Sequence, residues 1–484
     1  MFTPIAQVEM IPDMGPNSGG SRQRTQESAM AEDPDVCART RVGNMTACHL
    51  VGVAGVGMNA LAQALQGSGW TVSGSDRFED QGQDIEVIRK LKQAGIRFHR
   101  QDGSGVTRDT DAVVVSTAIE ESNPDMAAAR SLGIPIRHRS EMLAELARGQ
   151  RIVAIAGTSG KTTVTGMVGW ILEQVGADPF VVNGGSLVNW ADADRIGNVR
   201  LGRSGLCVLE ADESDRSLLN FDPEWALITN ASADHFDLPT TLALFEQFRS
   251  RVKKECVLGW EAGAGWKTAK VTASRTGTDF RYGGVAFELP LLGDHNAENA
   301  MQAAELCRRM GYGLPEIAGA LSRFRGIQRR LEKVGEAGGV TVLDEYAHNP
   351  AKIAAAWRAV AARHRRVVAF WRPHGFKPLS LMFGELVSMF REVCRPEDRL
   401  FVLPVFYAGG TAARQADSDG FVEALRQAGV GAEWIAEYEG LMEAMLGTVE
   451  AGDVVLCMGA RDPGIPAFAR KLVQRLAGSG SETA

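Results

Sequence analysis

Cysteine is sparse and unpatterned: the seven cysteines, Cys37, Cys48, Cys207, Cys256, Cys307, Cys394 and Cys457, are odd in number and include no C-x-x-C pair. That excludes a disulfide framework and a cysteine zinc site as organising devices. Positive charge is also in short supply. A formal net charge of -7 argues against wholesale nucleic-acid binding. No apolar run approaches the ~18 residues of a membrane-spanning helix, and residues 1–44 lack the apolar stretch of a signal peptide. The expectation is a reduced, cytoplasmic protein with neither membrane nor nucleic acid as partner.

What the chain does have is length, glycine and apolar strands. Its 484 residues exceed one ordinary core and suggest about three domains. Hydrophobic residues at 45 %, charged residues at 23 % and 54 glycines suit an α/β protein with many turns. A polar leader at 1–44, with Met30 and Met45 as alternative starts, is expected to be disordered. Three units then follow: a Rossmann-like domain over 45–148, a central P-loop ATPase-like domain over 149–328, and a C-terminal Rossmann-like domain over 329–484.

The centre of the chemistry is Ala154-Ile-Ala-Gly-Thr-Ser-Gly-Lys-Thr-Thr163, an apolar strand breaking into a glycine turn and then a helix. The residue pattern reads as an ATP phosphate cradle. Gly157 and Gly160 let backbone N–H groups turn on the phosphates, with Thr158 and Thr163 in the same turn. Lys161 reaches the β and γ oxygens, and Thr162 offers its hydroxyl to Mg2+. The general pattern G-x-x-x-x-G-K-S/T asks for a glycine where this chain has Ile155.

Polar residues also end the strands downstream. Gly205-Leu-Cys-Val-Leu-Glu210 runs into Ala211-Asp-Glu-Ser-Asp215, which makes Glu210 a candidate Mg2+ ligand. Trp225-Ala-Leu-Ile-Thr-Asn230 leads to His235, with Asn230, Asp234 and Asp237 around it as a second metal or phosphate site. Asn296 and Asn299 lie three apart on one helical face after His295 and can hydrogen-bond a purine. A hairpin-rich stretch is expected over 257–289.

The first domain opens with Ala47-Cys-His-Leu-Val51 and the turn Gly52-Val-Ala-Gly-Val-Gly57, where Gly52, Ala54 and Gly57 fit G-x-G/A-x-x-G and Gly55 stands between them. Asp76 closes the next strand about where an acidic residue meets a ribose. Alone, this turn suggests NAD. In the third domain Thr341-Val-Leu-Asp344 ends in Glu345-Tyr-Ala-His-Asn-Pro350, and Arg329 and Arg330 stand at the hinge, where guanidinium forks can hold phosphate oxygens.

In this order, Gly157 to Thr163, Glu210 to Asp215, Asn230 to Asp237, His295-Asn296 and Asp344 to Pro350 resemble the Mur ligases, ATP-dependent amide-forming enzymes of bacterial cell-wall peptide assembly. The resemblance runs from Cys48 to the last helix. Gly52 to Met58, Ser73-Gly-Ser-Asp76, Ser116-Thr-Ala-Ile119 with Asn123-Pro124, Glu141 to Glu145, and Ala408-Gly409 to Asp417-Ser418 are similar to its alanine-adding branch.

It implies that the first domain holds a UDP-sugar acid, UDP-N-acetylmuramate or similar, near Gly52, Gly55, Gly57, Asp76 and Ser116. ATP would phosphorylate its carboxylate, and an amino acid or short peptide would attack the acyl phosphate. Thr162 and Glu210 would hold the first metal and His235 the second. His295, Asn296 and Asn299 would surround adenine, and Arg330 and Asp344 would meet ATP phosphate and ribose. His348, Arg372 and His374 would lie near the incoming amine.

Three departures bear on that amine. Ser159 and Asn349 stand where the alanine-adding enzymes usually carry histidines, and Arg372-Pro-His-Gly-Phe-Lys377 has Gly375 where a P-H-R motif has arginine. Arg372 and Lys377 are the candidate substitutes for that arginine. Rival readings are a related ligase for a recycled peptide or another amino acid, an NAD-dependent oxidoreductase, and a non-catalytic nucleotide-binding scaffold.

Overall fold

Parallel strands buried on both faces make continuous apolar runs, and such runs build the three main sheets here. The computed structural model describes residues 46–479 apart from 234, 262–264, 268, 275–276 and 407–416. The leader, Asp234 and the Ala408 to Ala416 part of the resemblance therefore lie outside the described residues. All described residues belong to one unit, Arg39–Ala484.

The first sheet is five-stranded and parallel, in the order β3-β2-β1-β4-β5. Its strands are β1 (Ala47–Val51), β2 (Thr71–Ser75), β3 (Arg97–His99), β4 (Ala112–Val115) and β5 (Ile136–His138). Helices α1 (Val56–Gly67), α2 (Arg77–Asp80), α3 (Glu86–Gln93), α4 (Pro124–Leu132) and α5 (Arg139–Leu146) connect them and close the domain.

The central sheet has the order β11-β10-β6-β9-β7-β8. It contains β6 (Arg151–Ala156), β7 (Phe180–Val182), β8 (Val199–Arg200), β9 (Leu206–Glu210), β10 (Trp225–Ile228) and β11 (Glu255–Leu258), all parallel but for β8. Helices α6 (Lys161–Gln174), α7 (Leu238–Arg249), α8 (Asp294–Arg309) and α9 (Leu314–Leu321) belong to the same domain. The expected hairpins are confined to a three-stranded antiparallel sheet of β12 (Val271–Ala273), β13 (Thr278–Tyr282) and β14 (Val285–Leu289). Residues 255–258 instead pair in parallel with β10, because Val257 is buried in the central core.

The third sheet, β15-β16-β20-β17-β18-β19, is parallel except at its edge strand β15. It comprises β15 (Glu332–Ala337), β16 (Val340–Glu345), β17 (Val367–Trp371), β18 (Arg399–Val402), β19 (Ala432–Trp434) and β20 (Val454–Met458). Helices α10 (Pro350–Ala361), α11 (Phe376–Val393), α12 (Ser418–Gln427), α13 (Tyr438–Leu446) and α14 (Gly464–Ser479) cover it. Alternate residues of β17 divide between two cores: Ala369 and Trp371 pack with Trp357 and Phe390, while Val368 and Phe370 pack with Phe468 and Leu472. A sheet covered on both faces results.

The first two domains share an apolar core in which Leu61, Leu65 and Trp70 are continuous with Ile152, Phe180 and Ile196. Buried polar bonds lock that junction. Asn198 Nδ2 donates to Asn59 Oδ1 at 2.7 Å and Gln63 Nε2 donates to Asn198 Oδ1 at 3.0 Å. A strap over residues 326–331 joins the central to the third domain. Gln328 N–H donates to Ser186 O at one end, and Tyr346 N–H and Leu331 N–H bind Arg329 O and Glu345 Oε2 at the other.

Candidate active site

The phosphate turn lies between β6 and α6, where the sequence passes from apolar strand to glycine. Gly157 takes φ 127° and Gly160 takes φ 82°, both left-handed. A Cβ on Gly157 would come within 2.1 Å of Thr229 Oγ1, and one on Gly160 within 2.7 Å of Asn299 Oδ1. Only glycine lets the turn close against β10 and α8. Thr158 Oγ1 donates to Asn230 Oδ1 at 2.7 Å, and Ser159 N–H donates to the same oxygen at 3.0 Å. Asn230 thus holds the turn's outer edge, and Thr163 is buried in the first turn of α6.

Helix α6 begins at Lys161, which places its free N–H groups and its lysine at the same mouth. Lys161 Nζ donates to Gly157 O at 2.8 Å and to Glu213 Oε2 at 2.6 Å, with Asp212 Oδ1 at 3.7 Å. Burial pulls its ammonium down, but Glu213, Glu210 and Asp212 outweigh this and hold it above the ordinary lysine range. Lys161 is a cation at any physiological pH.

Thr162 Oγ1 lies 3.0 Å from Glu210 Oε2, the oxygen that also accepts Gly184 N–H at 3.0 Å. Burial lifts the Glu210 carboxyl above the usual range, against the pull of Lys161. A hydroxyl and one carboxylate beside a phosphate turn suit Mg2+, which keeps several waters and takes one or two carboxylates plus substrate phosphates. Among the described residues no three His, Cys, Asp or Glu side chains converge as a metal cage.

His235 stands apart from this pair. It is exposed in the loop between β10 and α7, without a hydrogen bond or ion pair to Thr162 or Glu210. Of its expected companions, Asn230 serves the phosphate turn and Asp237 caps α7 through Thr240 N–H at 2.8 Å.

At the start of α8, His295 is exposed, Asn296 donates to Leu292 O at 2.8 Å, and buried Asn299 faces Gly160. The structure brings Asn299 to the phosphate turn.

In the first domain Gly52 adopts φ 72° at the end of β1 and Gly55 caps α1. Asp76 binds the turn from behind: one oxygen accepts Ala54 N–H at 2.9 Å and the other accepts Phe78 N–H at 3.0 Å. Burial raises its carboxyl nonetheless. Both oxygens are engaged by backbone, which leaves Asp76 poorly placed for a ribose. Ser116 opens a turn whose Ile119 packs against Gly52.

The sequence reading missed Arg139, at the start of α5. Its guanidinium lies against Gly57, with Nη2 3.6 Å from Asp212 and 3.8 Å from Asp215. It therefore connects the first-domain turn to the acidic loop that also meets Lys161. Glu213, with its buried Oε1 lacking a partner, was passed over in favour of Glu210.

Across the strap, Arg330 lies over the Tyr346 ring at 5.6 Å. Asp344 is fully buried 3.4 Å from Arg329 Nε, and burial raises its carboxyl. His348 Nδ1 is 3.1 Å from Tyr346 O, and burial lowers its imidazole. Arg372 Nη1 pairs with Asp462 Oδ2 at 2.6 Å. His374 packs on Phe406 with ring centroids 6.1 Å apart, and burial pulls it down to about 4.

Three family profiles match in chain order: "Mur ligase family, catalytic domain" over 47–151, "Mur ligase middle domain" over 155–246 and "Mur ligase, glutamate ligase domain" over 329–461. A protein named UDP-N-acetylmuramate–L-alanine ligase from Synechococcus sp. (strain JA-2-3B'a(2-13)) is 33% identical, over 86% of this chain and 89% of its own. One of the same name from Rhodopseudomonas palustris (strain TIE-1) is 34% identical, over 85% of this chain and 94% of its own. This chain belongs to the Mur ligase family.

The solved UDP-N-acetylmuramate-alanine ligase from Thermotoga maritima superposes with a TM-score of 0.74 at 25% identity, covering 89% of this chain and 99% of that one. A murein peptide ligase from Psychrobacter arcticus shares the fold at 20% identity, TM-score 0.62, over 89% of this chain and 99% of that one. As a Mur ligase the chain is an ATP-dependent, ADP-forming amide ligase, and NAD chemistry at the Gly52 turn is set aside. No helix among the described residues is long and apolar enough to cross a membrane.

Proposed function

We propose that this ligase joins L-alanine to the carboxylate of UDP-N-acetylmuramate in the cytoplasm, with ATP and Mg2+, as a step of peptidoglycan precursor synthesis. The supporting observation is the mouth where Lys161, Thr162 and Glu210 converge, in a chain whose relatives of that name match it over most of both lengths.

The glycine turn and the amino end of α6 bind the ATP phosphates, and Lys161 neutralises charge on the transferred phosphoryl group. A Mg2+ ion on Thr162 and Glu210 would supply electrostatic stabilisation there, and His235 is the candidate residue for a second, separate metal. The sugar carboxylate takes the γ-phosphoryl group, the amine attacks the resulting acyl phosphate, and phosphate leaves from a tetrahedral intermediate. Gly52, Gly55, Gly57 and Ser116 border the UDP-sugar, and Arg139 lies between that turn and the acidic loop. Asn296 and Asn299, with His295, stand on the nucleotide side, and Arg330 and Asp344 on the hinge side. Domain boundaries near 148 and 328 fit this division of labour, with closure bringing the parts together.

A test is phosphate release from ATP with Mg2+ and UDP-N-acetylmuramate, comparing L-alanine, L-serine, glycine and the recycled tripeptide. Preference for L-alanine is expected. Release with the tripeptide alone would reassign the acceptor, and no release with any of them would overturn the reading.

A further inference from the structure

The carboxyl ends of β16, β17 and β20 come together in the third domain: Trp371 pairs with Met458, Glu345 pairs with Met458, and Arg372 N–H donates to Met458 O at 2.9 Å. The loops that leave these strands carry His348, Arg372 with His374, and Arg461 respectively. This is where ligands bind in open α/β sheets.

Arg372 is fully engaged here and does not replace the arginine absent at Gly375. Beyond its ion pair with Asp462, its Nε donates to Pro404 O at 3.1 Å and its guanidinium lies over Phe406 and Tyr438 at 5.4 and 5.5 Å. Asp462 in turn accepts from Tyr438 Oη at 2.6 Å and Gly464 N–H at 2.8 Å. Lys377 is exposed on the first turn of α11, and the charges acting on His374 are those of Arg461 and His348.

Arg461 differs from Arg372 on each of these points. It is exposed and makes no hydrogen bond or ion pair among the described residues, and the carboxylate beside it in sequence belongs to Arg372. Its charge acts on both His348 and His374. The His374 Nδ1 atom, on the loop leaving the neighbouring strand β17, is buried without a partner. The backbone at Arg461 has φ 59°, a left-handed conformation that costs a non-glycine residue about 1 kcal/mol or more. At Gly375 the reverse holds: φ 80° and ψ 139° require glycine there.

Resting on the reading of the preceding section, we propose that Arg461, with His374 on the loop of the neighbouring strand, binds the carboxylate of the incoming amino acid. A guanidinium fork matches a carboxylate in two parallel hydrogen bonds and leaves the amine free to attack.

The test compares wild type, Arg461→Gly and Arg461→Lys in phosphate release with L-alanine varied, and with L-alaninamide, which lacks the carboxylate. In Arg461→Gly the KM for L-alanine should rise about 10–100-fold, the loss of one charged hydrogen-bonding pair. KM values for ATP and the UDP-sugar should stay within about twofold, since one acceptor contact is removed and theirs are not. Arg461→Lys should fall between, and the wild-type preference for L-alanine over L-alaninamide should vanish in Arg461→Gly. The Tm should hold or rise, because glycine relieves φ 59°.

An unchanged L-alanine KM with preserved discrimination against the amide would overturn the proposal. So would an increase in all three KM values with a lower Tm, which marks a structural role. If the wild type releases no phosphate, the ligase reading falls separately. Equilibrium dialysis of labelled L-alanine with UDP-N-acetylmuramate and a non-hydrolysable ATP analogue then decides: weaker binding to Arg461→Gly supports the site, while equal binding or none to either protein overturns it.

Discussion

Lys161 and Glu213 form an ion pair at 2.6 Å, with the carboxylate nearly sealed from solvent. The lysine proposed to meet phosphate is thus held by an internal anion. Removing one member of a buried pair leaves an uncompensated charge, which costs about 3–5 kcal/mol. Lys161→Ala is therefore expected to abolish turnover and also to lower the Tm. Lys161→Ala combined with Glu213→Gln should regain most of the Tm and none of the activity. Thermal unfolding and phosphate release on the three proteins check this; a double variant as unstable as the single one would show that the pair is not the source of the loss.

Thr162 and Glu210 make a second, separable contribution. Glu210→Gln preserves the shape and the 3.0 Å contact with Thr162 while removing the charge that a divalent cation needs. Half-maximal activity should then require at least about tenfold more Mg2+, as expected from losing one charge-assisted contact. The KM for L-alanine should stay unchanged. Activity measured across a Mg2+ titration distinguishes this from general damage, which excess Mg2+ would not relieve.

The strand–turn–helix that carries Lys161 was legible in the sequence because strand, glycine, lysine and helix follow one another within ten residues. Glu210 was legible for a related reason, as the polar end of the apolar strand β9. Glu213 was not: it reaches Lys161 only because the chain folds back after β9, with Arg216 at φ 60° and Leu218 N–H bonded to Asp212 O. Arg139 and Arg461 share that difficulty. Neither belongs to a local pattern: Arg139 meets its neighbours at the junction of two domains, and Arg461 is placed only by the meeting of three strand ends. The short edge strands β3 and β19 escaped because three residues show no period. Edge strand β15 escaped because its alternation includes Gly335 and two glutamates.

His374 gives the chain a specific acid sensitivity. Burial, the charge of Arg461 and that of His348 hold its imidazole down at about 4, so the folded protein keeps it neutral. The unfolded chain protonates it near the ordinary histidine value of about 6.5. Its contribution to stability is therefore complete above that value and is lost as pH falls from there towards about 4. Buried Asp344, Glu345 and Glu332, whose carboxyls burial raises, act with the opposite sign, losing stability as pH rises through their own range. A difference between two proteins removes that background. Comparing wild type with His374→Asn in urea at pH 7.5 and pH 5, the wild type should lose about 1–2 kcal/mol more than the variant on acidification, allowing for partial exposure of the ring. Parallel losses in the two proteins would mean that His374 titrates as an ordinary surface histidine.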